Sequence, residues 1–358
     1  MRTGNMEVVA LATECKSLAE RKHDWILPAA KIDYIWHGPN NDFLEFQNGR
    51  GLMEARPTRT CQEQLATYLG IPIKYFDRCR SQQEDVLSDQ VNWWLTQDPK
   101  ARRIRGLMPK EESGEILARA FVSDRFQPFD SDDVVTTVLP VMMNQQCVVK
   151  DAFVDIEQLH FTVTNDKLVG EIKVGDPVRG GISLRNSDVG QGILEMATFI
   201  EVLRCKNGAV IRQNMEGMTR KHFGGRNEYG EDGEIFQDDT KRAQKETFWK
   251  EARDIVSAML KPERFAAMCE RLRESSMRQL NPAANFLHAM DVVENTYGLS
   301  HEEKDNVFEA LIRGQDTTIY GMANAVTFTA HGADYLRGAQ LEEIGGQIMS
   351  NPPKELLN

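Results

Sequence analysis

The sequence predicts an α+β fold: a central, mostly antiparallel sheet that includes a β-hairpin, with a helical block before it and a helical region after it. Three observations predict this. Branched and aromatic residues gather into short runs between residues 101 and 211, separated by polar turns and without regular βα alternation. Segments within 60–97 and 240–350 instead repeat their apolar residues every three or four positions, the helical period. The 358 residues, 41% of them hydrophobic, suffice for a substantial core, so disorder is not expected. The expected organisation is strand fragments and a helical block over 1–99, and a β-rich core over 100–226. An acidic loop over 227–239 and a helical region over 240–358 follow.

The first sixty residues read as a short helix and then strand fragments, IDYIW from Ile32 and FLEF from Phe43, with HGPNN as the turn between them. Thr60 with Glu63 three residues on forms a capping-box pattern for a helix that stops at Gly70. Pro72 starts the next helix, and Val86, Leu87, Val91, Trp94 and Leu95 share a face of a third. The Trp93–Trp94 pair is assigned to core or interface.

The hairpin comes next, Ala101–Met108 and Glu115–Val122 around the turn PKEESG. It carries Lys100, Arg102, Arg103, Arg105 and Arg119, with Arg125 just beyond. Alternation sets Arg103 and Arg105 on one face and Arg102 and Ile104 on the other. Taken alone, these cations read as an exposed edge that blocks aggregation.

A helix then starts at Ser131, capped by Ser131 or Asp130, and Pro140 kinks or ends it. Strands follow at CVVKDAFVDI, LHFTVT and LVGEIKV. After the paired glycines Gly180 and Gly181 come two or three more, with Ile193–Leu203 as a core strand. In the C-terminal part, Pro262 breaks a long helix and Ser300 with Glu303 makes a second capping box. Gly321, Ala323 and Ala325 give the penultimate helix a small face suited to close packing.

The net charge of −11 argues against a protein that coats duplex DNA by bulk electrostatics. Local charge is another matter, since screening limits exposed charges to about 10 Å at 0.1 M salt. Arg204–Arg226 holds six Lys and Arg against the single acid Glu216, whereas Asn227–Asp239 holds six acids and no cation. With glycines at Gly224 and Gly225, the 179–226 stretch reads as a surface for a polyanion. No P-loop, dinucleotide fingerprint, nucleophile elbow or zinc motif is present, so no cofactor or metal is expected. The six scattered cysteines read as buried small apolar residues of a reducing compartment. No apolar run is long enough to span a bilayer and no signal-type block stands near the N-terminus, so a cytoplasmic location is expected.

Several segments together resemble the phage- and plasmid-like proteins grouped as domain of unknown function 932. They are QEQLATYLGIPIKYFDRC, VNWWL, ARAFVSDRFQPFDSDDVVTTVLPVM, GISLRNSDVGQGILEMATFIEVLRCKNGAVI, KHFG and TTIYGMANAVTFTAHGADY, and they cover most of residues 60–350 in order. The resemblance implies a gene of a mobile element in the company of replication and recombination genes. By analogy of fold it implies a distant relation to single-strand annealing proteins. On this reading the chain binds and anneals single-stranded DNA as a homo-oligomeric ring or filament, without catalytic residues. An exonuclease or single-strand-binding protein is a possible partner. Phosphates would be tracked by Lys100, Arg102, Arg103, Arg105, Arg119, Arg125 and Arg185, and by Arg204, Lys206, Arg212, Arg220, Lys221, His222 and Arg226. Two alternatives stand beside it. One is a metal-dependent nuclease or other nucleic-acid-processing enzyme centred on His222 and the acids after it; the other is a structural or accessory interaction protein.

Overall fold

The computed structural model describes residues 6–357 apart from 50, 83, 112–113, 127, 192–193, 204–206, 212–237 and 282–285. A first sheet has six strands, in the order β1 (Lys22–Pro28), β5 (Ala101–Leu107), β6 (Ile116–Ser123), β4 (Leu52–Pro57), β3 (Asp42–Gln47) and β2 (Ile32–Trp36). It is antiparallel except where β4 runs parallel to β6. The expected hairpin is β5 and β6, within a residue or two of its sequence bounds. It is not an exposed edge: β5 pairs along its whole length with β1. The segment KHDWILP, with only two large apolar residues facing inward, did not read as a strand. Strands from both sides of the expected boundary at residues 99 and 100 share this one sheet.

One face of this sheet carries α2 (Arg59–Leu69), α3 (Ile73–Gln82) and α4 (Glu84–Thr96). Leu65, Phe76, Leu87, Val91 and Leu95 pack there on Tyr34, Leu44, Ile104 and Phe121. The cap of α2 is Thr58, whose hydroxyl accepts from the Cys61 amide, two residues earlier than expected. Thr60 lies inside the helix and donates to Glu157 at 2.6 Å. Gly70 ends α2 in the left-handed conformation, φ +69°, which glycine adopts at no steric cost.

The second sheet is antiparallel, in the order β11 (Asn207–Ile211), β10 (Glu195–Val202), β9 (Asp176–Ser187), β8 (Gln158–Lys173) and β7 (Cys147–Val154). Two expected strands, LHFTVT and LVGEIKV, are one long β8. Its register jumps from Asn165↔Gly180 to Val169↔Arg179, so Asp166–Leu168 bulge out opposite the paired glycines. Helices α5 (Ser131–Thr137) and α6 (Leu139–Asn144) break at Val138, ahead of Pro140 as expected. They join α1 (Val8–Arg21), α7 (Asp238–Met259) and α8 (Pro262–Met277) in the larger core, where α1 and α6 meet β7, α8 meets β8, and α7 lies against α6 and α8.

The remaining helices are α9 (Phe286–Tyr297), α10 (His301–Gly314), α11 (Ile319–Thr329) and α12 (Tyr335–Ser350). The capping box of Ser300 and Glu303 opens α10 as the sequence proposes. The small face of α11 packs within the chain: Gly321, Ala323 and Ala325 are buried. Across from it a side chain at Gly345 would stand 2.2 Å from Thr327. The five described cysteines are free and buried, as expected. Among the described residues no helix is long and apolar enough to cross a membrane.

Candidate functional site

Two of the segments that carry the family resemblance, those containing RAFVSDRF and RNSDVG, meet in space. Between them lies a charged cluster on the face of the first sheet turned away from α2–α4. Arg105 is almost fully buried. Its Nε donates to Asp24, its Nη atoms reach both oxygens of Asp130 at 2.9 and 3.1 Å, and Nη1 donates to the carbonyl of Asp188. Arg103 meets the other oxygen of Asp24 at 3.0 Å. Lys22 Nζ lies 2.8 Å from Asp188 and 2.9 Å from Asp132.

Asp188 is the hub. One carboxylate oxygen accepts from the Ser131 amide and hydroxyl at 2.9 and 2.6 Å, so a residue from β9's far end caps α5. The other oxygen faces Lys22, with Arg119 Nη1 at 3.7 Å. Arg119 is directed here by the strand itself: Ala118 pairs with Gly106 and Ala120 with Arg105, leaving Arg119 as an unpaired bulge residue. Its Nη1 donates to the Ile156 carbonyl at 2.6 Å, while Nε and Nη2 have no hydrogen-bond partner among the described residues. Four cations, Lys22, Arg103, Arg105 and Arg119, thus face four carboxylates, Asp24, Asp130, Asp132 and Asp188. A charge-balanced cluster of this kind joins the two sheets and leaves little net field for an outside anion.

The ionisation of the cluster follows from its burial and pairing. Burial alone would lower the Lys22 pKa, yet Asp188 and Asp130 hold it above the usual lysine value. Burial would raise Asp130, but Arg105 and Lys22 pull it below its ordinary 3.8. Arg119 is held below the usual arginine value by burial and by the neighbouring Arg105. The nearby Cys15 thiol is pushed up to about 12 by burial and by Asp188, so it stays protonated.

These shifts give a pH prediction. Asp130 is depressed in the folded state; Glu201, beside Lys150 and Arg179, and Glu303, bonded to Arg337, are also held below their ordinary 4.5. Their contribution to stability is complete above the unfolded pKa values and is lost as pH falls through the folded ones. Urea midpoints are expected to be level down to about pH 5 and to fall steadily below about pH 4. A midpoint unchanged at about pH 3 would remove this cluster from the stability of the fold.

Most of the hairpin cations expected to track phosphates have partners within the chain. Arg105 and Arg119 are buried and engaged, and Arg103 is paired with Asp24. Arg102 lies over the Tyr68 ring, 3.3 Å from its centre. Arg185 is partly exposed but bridges Glu195 and Glu343, both at 2.9 Å. Lys100 and Arg125 are exposed, flank the open end of the hairpin, and have no side-chain ion pair among the described residues. Arg204, Lys206, Arg212, Arg220, Lys221, His222 and Arg226 lie outside the described residues. So does most of the acidic stretch, of which Asp238 and Asp239 open α7.

Two further arrangements complete the picture, the first without any signal in the sequence. His160 on β8 is buried, with Nδ1 2.8 Å from the Tyr335 hydroxyl and Nε2 3.1 Å from Ser183 Oγ. Tyr335 begins α12, so this chain of contacts ties that helix to the sheet. Trp93 and Trp94, read as core or interface, stand on the surface at 57% and 49% exposure, edge to face with centroids 4.5 Å apart. No group of three or more His, Cys, Asp or Glu suited to hold a metal ion occurs among the described residues.

Comparison with known proteins adds no relative: no family model, no curated protein and no solved structure matches this chain.

Proposed function

We propose that the chain is a single-stranded DNA-binding and annealing protein of a mobile element, acting in recombination in the cytoplasm as a homo-oligomer. The observation that carries the reading is a long stretch of sequence in which cations outnumber acids, six Lys and Arg against Glu216 over 204–226. Arg204 and Lys206 sit in the connection between β10 and the edge strand β11, and the cation-rich 212–226 follows directly from that edge. The interior cations are paired with carboxylates, so the reading rests on the sequence of this stretch, with Lys100 and Arg125 as lesser sites at the hairpin. Annealing requires strands held by their backbones with bases free to pair, which asks for cations and no catalytic group. The resemblance of the long motif segments to the mobile-element family points the same way.

The test is the anisotropy of a labelled single-stranded oligonucleotide, followed by an annealing assay with complementary strands. Binding is expected to weaken steeply with salt, and Arg220→Glu with Lys221→Glu to lower affinity about tenfold or more at 100 mM salt. Arg105→Lys is expected to leave affinity unchanged, because that side chain is spent on Asp24 and Asp130. No binding at about 50 mM salt would overturn the reading.

A further inference from the structure

We propose that the outer face of α3 and α4 is a self-association surface on which a second copy of this chain docks about a two-fold axis. The face is apolar where it has no reason to be for folding. Val86 and Trp93 lie on the outer stripe of α4, opposite the buried Leu87, Val91 and Leu95. Trp94 flanks them at the helix end, and Tyr75 of α3 is joined to Gln90 by a 3.5 Å contact. These four side chains are between 37% and 57% exposed. At about 150–250 Å² for a large aromatic side chain they expose on the order of 400 Å² in total. The largest apolar patch of a typical single chain is about 300–600 Å² and often functional, and this one falls in that range.

The charges around the stripe name the partner. Asp85 and Asp89, four apart, form the row of α4 on the side away from α3. Lys74 and Arg78, also four apart, form the row of α3 beyond Tyr75. All four are exposed and none has an ion-pair partner among the described residues. An apolar stripe with acids along one side and cations along the other is complementary to itself after a half turn: each protomer's acids meet its partner's cations. The same acids beside the tryptophans disfavour a polyanion on this face. A stable interface buries about 800 Å² per partner, so the apolar stripe supplies about half and the charged rows the remainder.

The proposal concerns the surface of assembly and holds whether or not the protein binds DNA, so the test is run on the full chain without nucleic acid. Sedimentation or light scattering over about 1–200 µM is expected to show the mass rising with concentration. Asp85→Lys with Asp89→Lys is expected to weaken association about tenfold or more, as is Lys74→Glu with Arg78→Glu. The four substitutions combined are expected to restore it, because the reversed rows again match across the two-fold. Trp93→Ala with Trp94→Ala is expected to give a monomer with an unchanged circular dichroism spectrum. A wild-type chain that stays monomeric over this range overturns the proposal, as does association that ignores both charge reversals or is not recovered in the combined variant. Oligonucleotide affinity measured on the same variants separates the two readings: lost assembly with retained binding, or the converse, shows which one fails.

Discussion

Asp188→Ala is expected to cost about 3–5 kcal/mol of folding stability, because it removes one partner from a buried ionic network and leaves the others uncompensated. Lys22 would lose its 2.8 Å contact, and Arg119, fully buried, would lose its nearest carboxylate. Two donors of Ser131 at the start of α5 would lose their acceptor at the same time. Asp188→Asn tests the electrostatic share: it keeps an acceptor for Ser131 but not the charge, and should recover part of the loss. Urea unfolding followed by circular dichroism measures both. A loss below about 1 kcal/mol for Asp188→Ala would mean that the cluster is solvated and the two sheets are joined by apolar packing alone. The prediction separates architecture from function: a large loss assigns Asp188 to tying the end of β9 to α5 and to β1.

Much of this was visible in the residues, and the remainder has a common physical cause. The helix boundaries at Gly70 and Ser300, and the break at Val138 ahead of Pro140, rest on local backbone chemistry. Alternation correctly put Arg103 and Arg105 on one face and Ile104 on the other. It could not say which face meets solvent, because that depends on Asp24, Asp130 and Asp188, which lie 81, 25 and 83 positions from Arg105. A row of arginines on a strand therefore looks like a binding surface until its partners are known. For Trp93 and Trp94 the sequence leaves core and interface open, and only the packing of α4 turns the pair outward. The bulge that aims Arg119 and the one that makes β8 a single strand are matters of pairing register, which no single strand encodes.

The second bulge gives the other large expected effect. Gly180 and Gly181, adjacent in β9, lie where β8 steps out over Asp166–Leu168. A Cβ on Gly181 would fall 1.8 Å from the Val163 carbonyl oxygen, 2.8 Å from its carbon and 2.9 Å from Thr164 Cα. All three are backbone atoms in the middle of the sheet, so no rotamer change relieves the clash and the strands must separate or slip. Gly181→Ala is therefore expected to destabilise by about 3 kcal/mol or more. Gly180→Ala meets the Phe265 ring of α8 at 2.5 Å, a side chain that can pivot, and is expected to cost about 1–2 kcal/mol. Paired unfolding curves decide the matter. Equal losses, or a milder effect at Gly181, would show that β8 and β9 do not approach as closely at the bulge as this register requires. The larger effect at Gly181 would instead make the second glycine of the pair a requirement of backbone approach, and would leave the neighbouring Arg179 and Arg185, each already paired with glutamates, as sheet-stabilising residues.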